Sequence, residues 1–319
     1  MPAPVVVAEV VRSGFVEGHH RGSVVALSSD GSPAWSVGDT TGPVLPRSCN
    51  KPLQALGMVR LGLDLPPDLL ALVCASHSGE PFHLDGVRRI LELGGLGVDA
   101  LQTPKDYPLD DAAKVAAIRA GDEPSSLAMN CSGKHAGMLL TCVVNGWDTA
   151  SYRSPDHPLQ QGIARTFAEA TGEQVAVTAV DGCGAPLLST SLTGLARAFR
   201  TLAVAADGPE RRIADAIRAH PAHVSGTTRD ELKLLTAIPG AIGKAGAEAC
   251  YAVALPDGRA YALKIDDGGA RARPVVMAEA LRRDGVPTGS GVDAAALDDT
   301  GRVPVLGAGE PVGEIRAML

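Results

Sequence analysis

A serine and a lysine stand three residues apart in RSCNKPLQ: Ser48 and Lys51, just after Pro46 and at the mouth of an apolar run. Residues i and i+3 share a helix face, so a hydroxyl nucleophile and an amine base would sit side by side. An unperturbed lysine titrates near about 10.4. To accept a proton at neutral pH it must be desolvated or crowded by another cation. A helix start would add free N–H groups and a positive dipole end for an oxyanion. The same spacing also describes a serine N-cap followed by a solvated lysine, and Ser-x-x-Lys is common by chance.

Four further stretches carry reactive side chains. CASHSGEPFH crowds Ser76, His77, Ser78 and Glu80 together directly after an apolar helix. That density suits a functional loop, and equally a solvated turn with Gly79 as the helix stop. NCSGKHAGML puts Lys134 and His135 in the first turn of a helix capped by Asn130 or Ser132. A cation there opposes the helix dipole, so either the amine or imidazole has a task or the pair is simply exposed. DGCGAP flanks Cys183 with two glycines at the end of a strand. Cys131 and Cys183 both fall in polar, glycine-rich segments and could share a metal, although no C-x-x-C pair signals zinc. IGKAGAE places Lys244 in a Gly/Ala loop. In YALKIDDGGARA, strand alternation points Lys264 away from Leu263 and Ile265, into either a site or solvent.

The elements that must position these groups are legible in outline. VVVAEVV reads as a strand, and SVVALSSDGSPAWSVGD as a hairpin turning at Ser28-Ser29-Asp30-Gly31. Helical spacing starts near residue 50 in KPLQALGMVRLGL and PPDLLALVCAS. It continues through about 83–94, 111–120, 134–145, 157–171 and 188–206, with a β-like interruption at QVAVTAVDG. ACYAVALPDGRAYALKIDDGG is a hairpin around Pro256-Asp257-Gly258. A helix over about 270–284 and a closing strand pair, VPVLGAGEPVGEIRAML, follow, with a loop over 286–292. Strands at both ends and helices between them predict an α/β (α+β) fold with one mostly antiparallel sheet and a helical middle lobe. The expected lobes are 1–47 with 222–319 for the sheet and 48–221 for the helices, forming a single catalytic unit.

Composition narrows the function. With 45% hydrophobic but only 3% aromatic residues, the core must be built from Ala, Val and Leu. The same scarcity of rings argues against a base-stacking surface. A net charge of −7 without a basic block disfavours nucleic acid and anionic membrane as partners. The start, MPAPVVVAEV, lacks a basic leader, and no run is long enough for a membrane span. Six cysteines in 319 residues are too sparse for a disulfide framework. A reducing, cytoplasmic location is expected.

Taken together and in order, RSxxKxxQ, CASHSGE, NCSGKHAGM, DHPLQ, DGCGxP, K-x-GAE and ALKxDDG resemble the bacterial and plant asparaginase II family, the thermolabile rhizobial type. The likeness runs from about residue 5 to about 285. It implies hydrolysis of L-asparagine to L-aspartate and ammonia, on a fold similar to serine-dependent glutaminases and β-lactamases. It also implies two serine–lysine pairs, Ser48 with Lys51 and Ser76 with Lys264. A zinc ion on Cys131, Lys134 and Cys183 and a homodimer are implied as well. The substrate's charged ends would be met by Arg47 and Asp181, with Glu80 and His135 as further contacts.

The chain departs from the family pattern at Cys49, an extra thiol beside Ser48, and at Ala245, where a K-T-G-A-E pattern would carry a threonine. Rival readings are a glutaminase, a β-lactamase or penicillin-binding-like acyl transferase, and a non-catalytic amino-acid- or zinc-binding protein of the same fold.

Overall fold

The computed structural model describes residues 5–319, so the first four residues of the expected sheet lobe lie outside it. The chain begins with strands β1 (Val5–Arg12), β2 (Phe15–Leu27) and β3 (Pro33–Val37). Helices α1 (Lys51–Arg60), α2 (Pro67–Val73), α3 (Pro81–Leu93), α4 (Asp111–Ala120), α5 (Ser132–Asn145) and α6 (Pro158–Thr171) follow. Two short strands, β4 (Thr178–Val180) and β5 (Pro186–Leu188), precede α7 (Leu192–Val204), α8 (Gly208–Ala219), α9 (Pro221–Val224) and α10 (Asp230–Ala237). The chain closes with β6 (Ile242–Ala245), β7 (Cys250–Ala254), β8 (Ala260–Ile265), α11 (Ala272–Arg283), α12 (Ala294–Thr300), β9 (Pro304–Gly307) and β10 (Glu310–Ala317). This is the mixed α/β architecture with an antiparallel sheet that the alternation of patterns predicts.

Two compact units emerge. The first comprises Met1–Cys49, Thr190–Val204 and Lys233–Leu319. Its sheet runs β6-β7-β8-β2-β1-β10-β9, with β3 paired to β2. All pairings are antiparallel, and β2 is long enough to pair with β1 along its first half and β3 along its second. Every residue of β7 is buried, and all of β8 but Lys264. Consecutive burial means both faces of these central strands are covered. Helices α7 and α11 pack on them. The β7–β8 turn is closed by Leu255 N–H to the Arg259 carbonyl at 2.8 Å, and Gly258 takes the φ of +91° that the turn requires.

The second unit comprises Asn50–Ser189 and Ala205–Leu232. Helix α1 packs on α6, α8 and α5, and α2 on α8, α5, α9 and α3. A core without large rings needs backbones to approach closely, and glycines allow it. A Cβ at Gly57 would stand 2.9 Å from the Ile163 Cα, and one at Gly133 would stand 2.6 Å from the Leu72 carbonyl. The second contact presses the start of α5 against the end of α2, the two places where CASHSGE and NCSGKH lie.

Lys244 differs from expectation. It lies on β6, fully buried and paired in register with Ala252, not in a loop. Glycine and alanine give IGKA little intrinsic strand preference, and only the β7 partner makes it a strand.

Candidate active site

In the sheet unit, Ser48 lies on a single 3-10 turn, Arg47–Asn50, that leads directly into α1. Three contacts set that turn. Cys49 N–H donates to the Pro46 carbonyl at 3.1 Å. The buried Cys49 thiol donates to the Lys244 carbonyl at 2.9 Å. Gly246 lies so close that a Cβ there would meet the Pro46 carbonyl at 2.8 Å and the Ser48 nitrogen at 3.2 Å. Arg47, immediately before the serine, has φ +52°. A non-glycine residue in that region is strained and is held there only by its surroundings. Cys49, first noted as an extra thiol, thus anchors the turn.

In the helical unit, Lys51 opens α1 with its amine buried. The Nζ donates to the Ala75 carbonyl at 2.6 Å and to the Ser76 Oγ at 2.9 Å. The stretch holding Ser76 is a buried strap and not a solvated turn. Ser76 N–H bonds the Val224 carbonyl at 3.1 Å, and His77 N–H bonds the Asn130 carbonyl at 3.0 Å. The Ser78 hydroxyl donates to the Ser225 carbonyl at 2.8 Å. Gly79, with φ +77°, lies well past the end of α2 and does not stop it. A buried backbone must find all its partners inside the protein, so this strap holds Ser76 with little freedom. His77 lies beneath it, bonded through Nε2 to the Ser132 hydroxyl at 2.8 Å. Burial, with His83 and Lys51 nearby, pushes His77 well below the usual histidine range.

The start of α5 carries Cys131 and places Lys134 against the Cys183 sulfur. Cys131, not Asn130 or Ser132, holds the N-cap position. Lys134 and His135 are buried, so the exposed-pair reading does not hold. The Lys134 amine lies 3.2 Å from the Cys183 Sγ. The Cys131 thiol donates to the Asn130 Oδ1 at 3.0 Å. The neighbouring Cys131 and the Lys134 cation favour the thiolate of Cys183 and hold its pKa low, while Cys183 and burial hold the Cys131 thiol well above the ordinary thiol value. Burial would lower Lys134, but the two sulfurs and Asp181 outweigh it and hold its pKa above the ordinary lysine value. His135 accepts or donates at 2.7 Å with the Tyr152 hydroxyl through Nδ1. Its Nε2 is buried without a conventional hydrogen bond. Burial pushes its pKa down to about 4 against the pull of the Cys183 sulfur.

The remaining expected contacts divide. Asp181 lies on the same loop as Cys183 and accepts from Gly182 N–H at 2.9 Å. Glu80 accepts from the Thr227 N–H at 2.8 Å and the Thr227 hydroxyl at 2.7 Å. In the sheet unit, Arg47 Nη1 lies 3.5 Å from Glu248 Oε1. The Lys264 amine donates to the Glu248 carbonyl at 2.8 Å. The loop after Lys264 is braced by a buried histidine. Arg271 Nε donates to His20 Nε2 at 3.0 Å, so His20 carries its proton on Nδ1 and gives it to Asp267 at 2.6 Å.

The L-asparaginase II family model matches residues 8–317, nearly the whole chain. The chain belongs to the L-asparaginase II family. It is an asparaginase-type amidohydrolase with a small-molecule substrate. No curated protein matches the chain. Among solved structures, a β-lactamase from Mycobacterium bovis is similar at 15% identity, with 82% of this chain and 94% of that chain covered and a TM-score of 0.46. A D-alanine carboxypeptidase, AmpC, from Burkholderia cenocepacia is similar at 16% identity, covering 83% and 93%, with a TM-score of 0.39. Mglu in its tris and glutamate form is similar at 13% identity, covering 88% and 63%, with a TM-score of 0.39. Among the described residues no helix is long and apolar enough to cross a membrane.

Three residues that pack around the candidate residues drew no role from the sequence. Glu248 stood inside a quoted motif, K-x-GAE, without a role. Gly246 stood beside it, and the contact it permits is set by residues two hundred positions away in the chain, which no local pattern reveals. His20 lies in a polar run, EGHHRG, that reads as surface, yet it is buried.

Proposed function

We propose that this asparaginase II hydrolyses L-asparagine to L-aspartate and ammonia through a serine acyl-enzyme. The observation that carries the reading is the buried Lys51 amine on the Ser76 hydroxyl, one helical turn along the chain from Ser48. In the proposed sequence, Ser48 Oγ bonds to the side-chain amide carbon while Lys51 takes the hydroxyl proton. The tetrahedral oxyanion is met by backbone N–H groups at the start of α1. The proton passes to the amide nitrogen, with Ser76 as relay, the C–N bond breaks and ammonia leaves. Water then attacks the acyl ester, frees aspartate and restores the hydroxyl. Lys264 is the second lysine of the set. The Lys51–Ser76 hydrogen bond also favours a second reading, in which Ser76 is the acylated serine.

Arg47 is the proposed partner of the α-carboxylate, and Asp181 and His135 remain candidate contacts. Glu80 also remains a candidate contact, since Thr227 takes one acceptor position on each of its oxygens and leaves others open. For zinc, the residues fit. Two buried thiols and a buried amine form a sulfur–nitrogen donor set that suits zinc, provided that Lys134, held protonated here by the two sulfurs and Asp181, gives up its proton to the metal's competition. Among the described residues no three His, Cys, Asp or Glu side chains form a metal-binding group; Lys134 is the proposed third ligand beside Cys131 and Cys183. Bound there, zinc would supply a positive charge that ties the Cys183 loop to α5 and orders the site. A homodimer and a cytoplasmic location belong to the same proposal.

Ammonia release from L-asparagine and L-glutamine tests the reading. Asparagine is expected to be favoured by about 10–200-fold, the range one methylene commonly yields. Lys51→Ala should lower kcat by about 10²–10⁴-fold. Ser48→Ala and Ser76→Ala, with mass analysis of the trapped acyl adduct, separate the two serine assignments. Normal turnover by Lys51→Ala, or no ammonia from either amide with the wild type, overturns the proposal.

A further inference from the structure

Five non-glycine residues among those described have positive φ: Ser13, Arg47, Glu248, Ala249 and Ala308. Two of them are ordinary. Ser13 and Ala308 each precede a glycine, Gly14 and Gly309, in the hairpin turns β1–β2 and β9–β10. Such turns need two left-handed residues and usually take Asn-Gly or Asp-Gly. The β6–β7 turn is different. It spends two side-chain-bearing residues, Glu248 at φ +55° and Ala249 at +49°, where glycine would relieve strain. Arg47, the fifth, lies opposite: its Nη1 is 3.5 Å from Glu248 Oε1.

The turn is built to present that carboxylate. Gly246 N–H bonds the Cys250 carbonyl at 2.8 Å and closes the loop. The Glu248 carbonyl receives the Lys264 amine at 2.8 Å, which fixes the backbone under the side chain. On the other side a Cβ at Gly268 would collide with the Glu248 carboxylate, so glycine leaves its space open. Yet the charge pair itself is loose. Its separation exceeds a normal hydrogen bond, and the Glu248 side chain is 58% exposed and that of Arg47 25%. A pair like that contributes little by itself and opens at small cost.

An opposite-charge pair that opens easily is complementary to a zwitterion. We propose that Arg47 and Glu248 form a clamp for the two α-substituents of an amino-acid substrate. Arg47 takes the α-carboxylate and Glu248 takes the α-ammonium, so Glu248 is the residue that selects for a free amino acid. The inference rests on the asparaginase reading above and replaces Asp181 as partner of the ammonium.

The test compares L-asparagine with succinamate, which is asparagine without its α-ammonium. For the wild type the clamp expects strong preference for asparagine. In Glu248→Gln, which keeps size and backbone conformation, the ratio of kcat/KM for asparagine over succinamate should fall by about tenfold, the order expected for a charge-assisted hydrogen bond. The fall should come mainly through KM for asparagine, with a smaller effect on succinamate than on asparagine. Glu248→Asp, which keeps the charge, should recover part of the preference and serves as the second variant. An unchanged ratio in Glu248→Gln, or equal loss on both substrates, overturns the clamp. Absence of ammonia release by the wild type would instead overturn the asparaginase reading itself.

Discussion

Gly246→Ala should impair the reaction while sparing most of the fold. The added Cβ would stand 2.8 Å from the Pro46 carbonyl, 3.2 Å from the Ser48 nitrogen and 3.3 Å from the Cys49 nitrogen. All three are backbone atoms of the serine's own turn, so no flexible side chain can yield. Ordinary contact needs about half an ångström more, and the turn must move by roughly that amount. Catalytic constellations tolerate about 0.5 Å, and a misplacement of about 1 Å can cost about a hundredfold. A kcat loss of about tenfold is therefore expected. Overpacking of this kind costs about 1–3 kcal/mol, which in a chain of this size lowers Tm by only about 2–10 °C. The assay is ammonia release from asparagine beside a thermal melt. Gly18→Ala on β2 is the control, because its Cβ would meet only the Val10 Cγ2, at 4.0 Å. A Gly246→Ala protein that melts lower but turns over like the wild type would refute the idea that this contact positions Ser48.

Acid should destabilise the protein through its buried histidines. His83 is pushed down to about 4 by burial, against the opposing Ala222 carbonyl bond. Its depressed value means the folded state favours the neutral ring, so stability is present above the unfolded pKa near 6.5 and is lost as pH falls toward 4. For His83 alone the loss between pH 7 and pH 5 is about 2 kcal/mol. His77, stacked on it at 5.3 Å and lowered in the same direction, adds to it. Chemical denaturation at pH 7 and 5 should show a smaller acid loss in His83→Gln, and equal losses in both proteins would refute the assignment. For the metal, Cys183→Ser should lose bound zinc by elemental analysis with its circular dichroism unchanged, and full occupancy would refute the ligand set. Chelation should raise KM more than it lowers kcat, since the proposed zinc orders the site.

Much of the fold was legible because its signals are local. The helices expected over 83–94, 111–120 and 157–171 are observed as Pro81–Leu93, Asp111–Ala120 and Pro158–Thr171. Prolines at two of the starts and left-handed glycines at Gly121 and Gly172 mark the ends chemically. The hairpin at Pro256-Asp257-Gly258 was equally clear. What failed depends on partners far along the chain. The strand IGKA exists because β7 pairs with it. QVAVTAVDG yields only the three residues Thr178–Val180, exposed on a two-stranded sheet.

The site divides along the same line, and the division is instructive. Residue types and motif order single out Ser48, Lys51, Ser76, Lys264, Cys131, Lys134 and Cys183 as the candidate set. The pairing of Ser76 with Lys264 is what the resemblance implies; within each unit, the Ser76 hydroxyl accepts from the Lys51 amine, and the Lys264 amine donates to the Glu248 carbonyl. Spacing along the chain reports only neighbours within a turn, whereas the Lys51–Ser76 bond spans 25 residues and the Lys264–Glu248 bond joins two strands. Backbone strain is still less visible. Nothing in the letters R, E and A announces a left-handed conformation, because no side-chain type prefers it strongly enough to override context. Arg47, Glu248 and Ala249 adopt it because the β6–β7 turn and the serine's turn are held from several sides at once. Strain of that kind persists only where surrounding structure over-determines it, and here it is spent next to the serine.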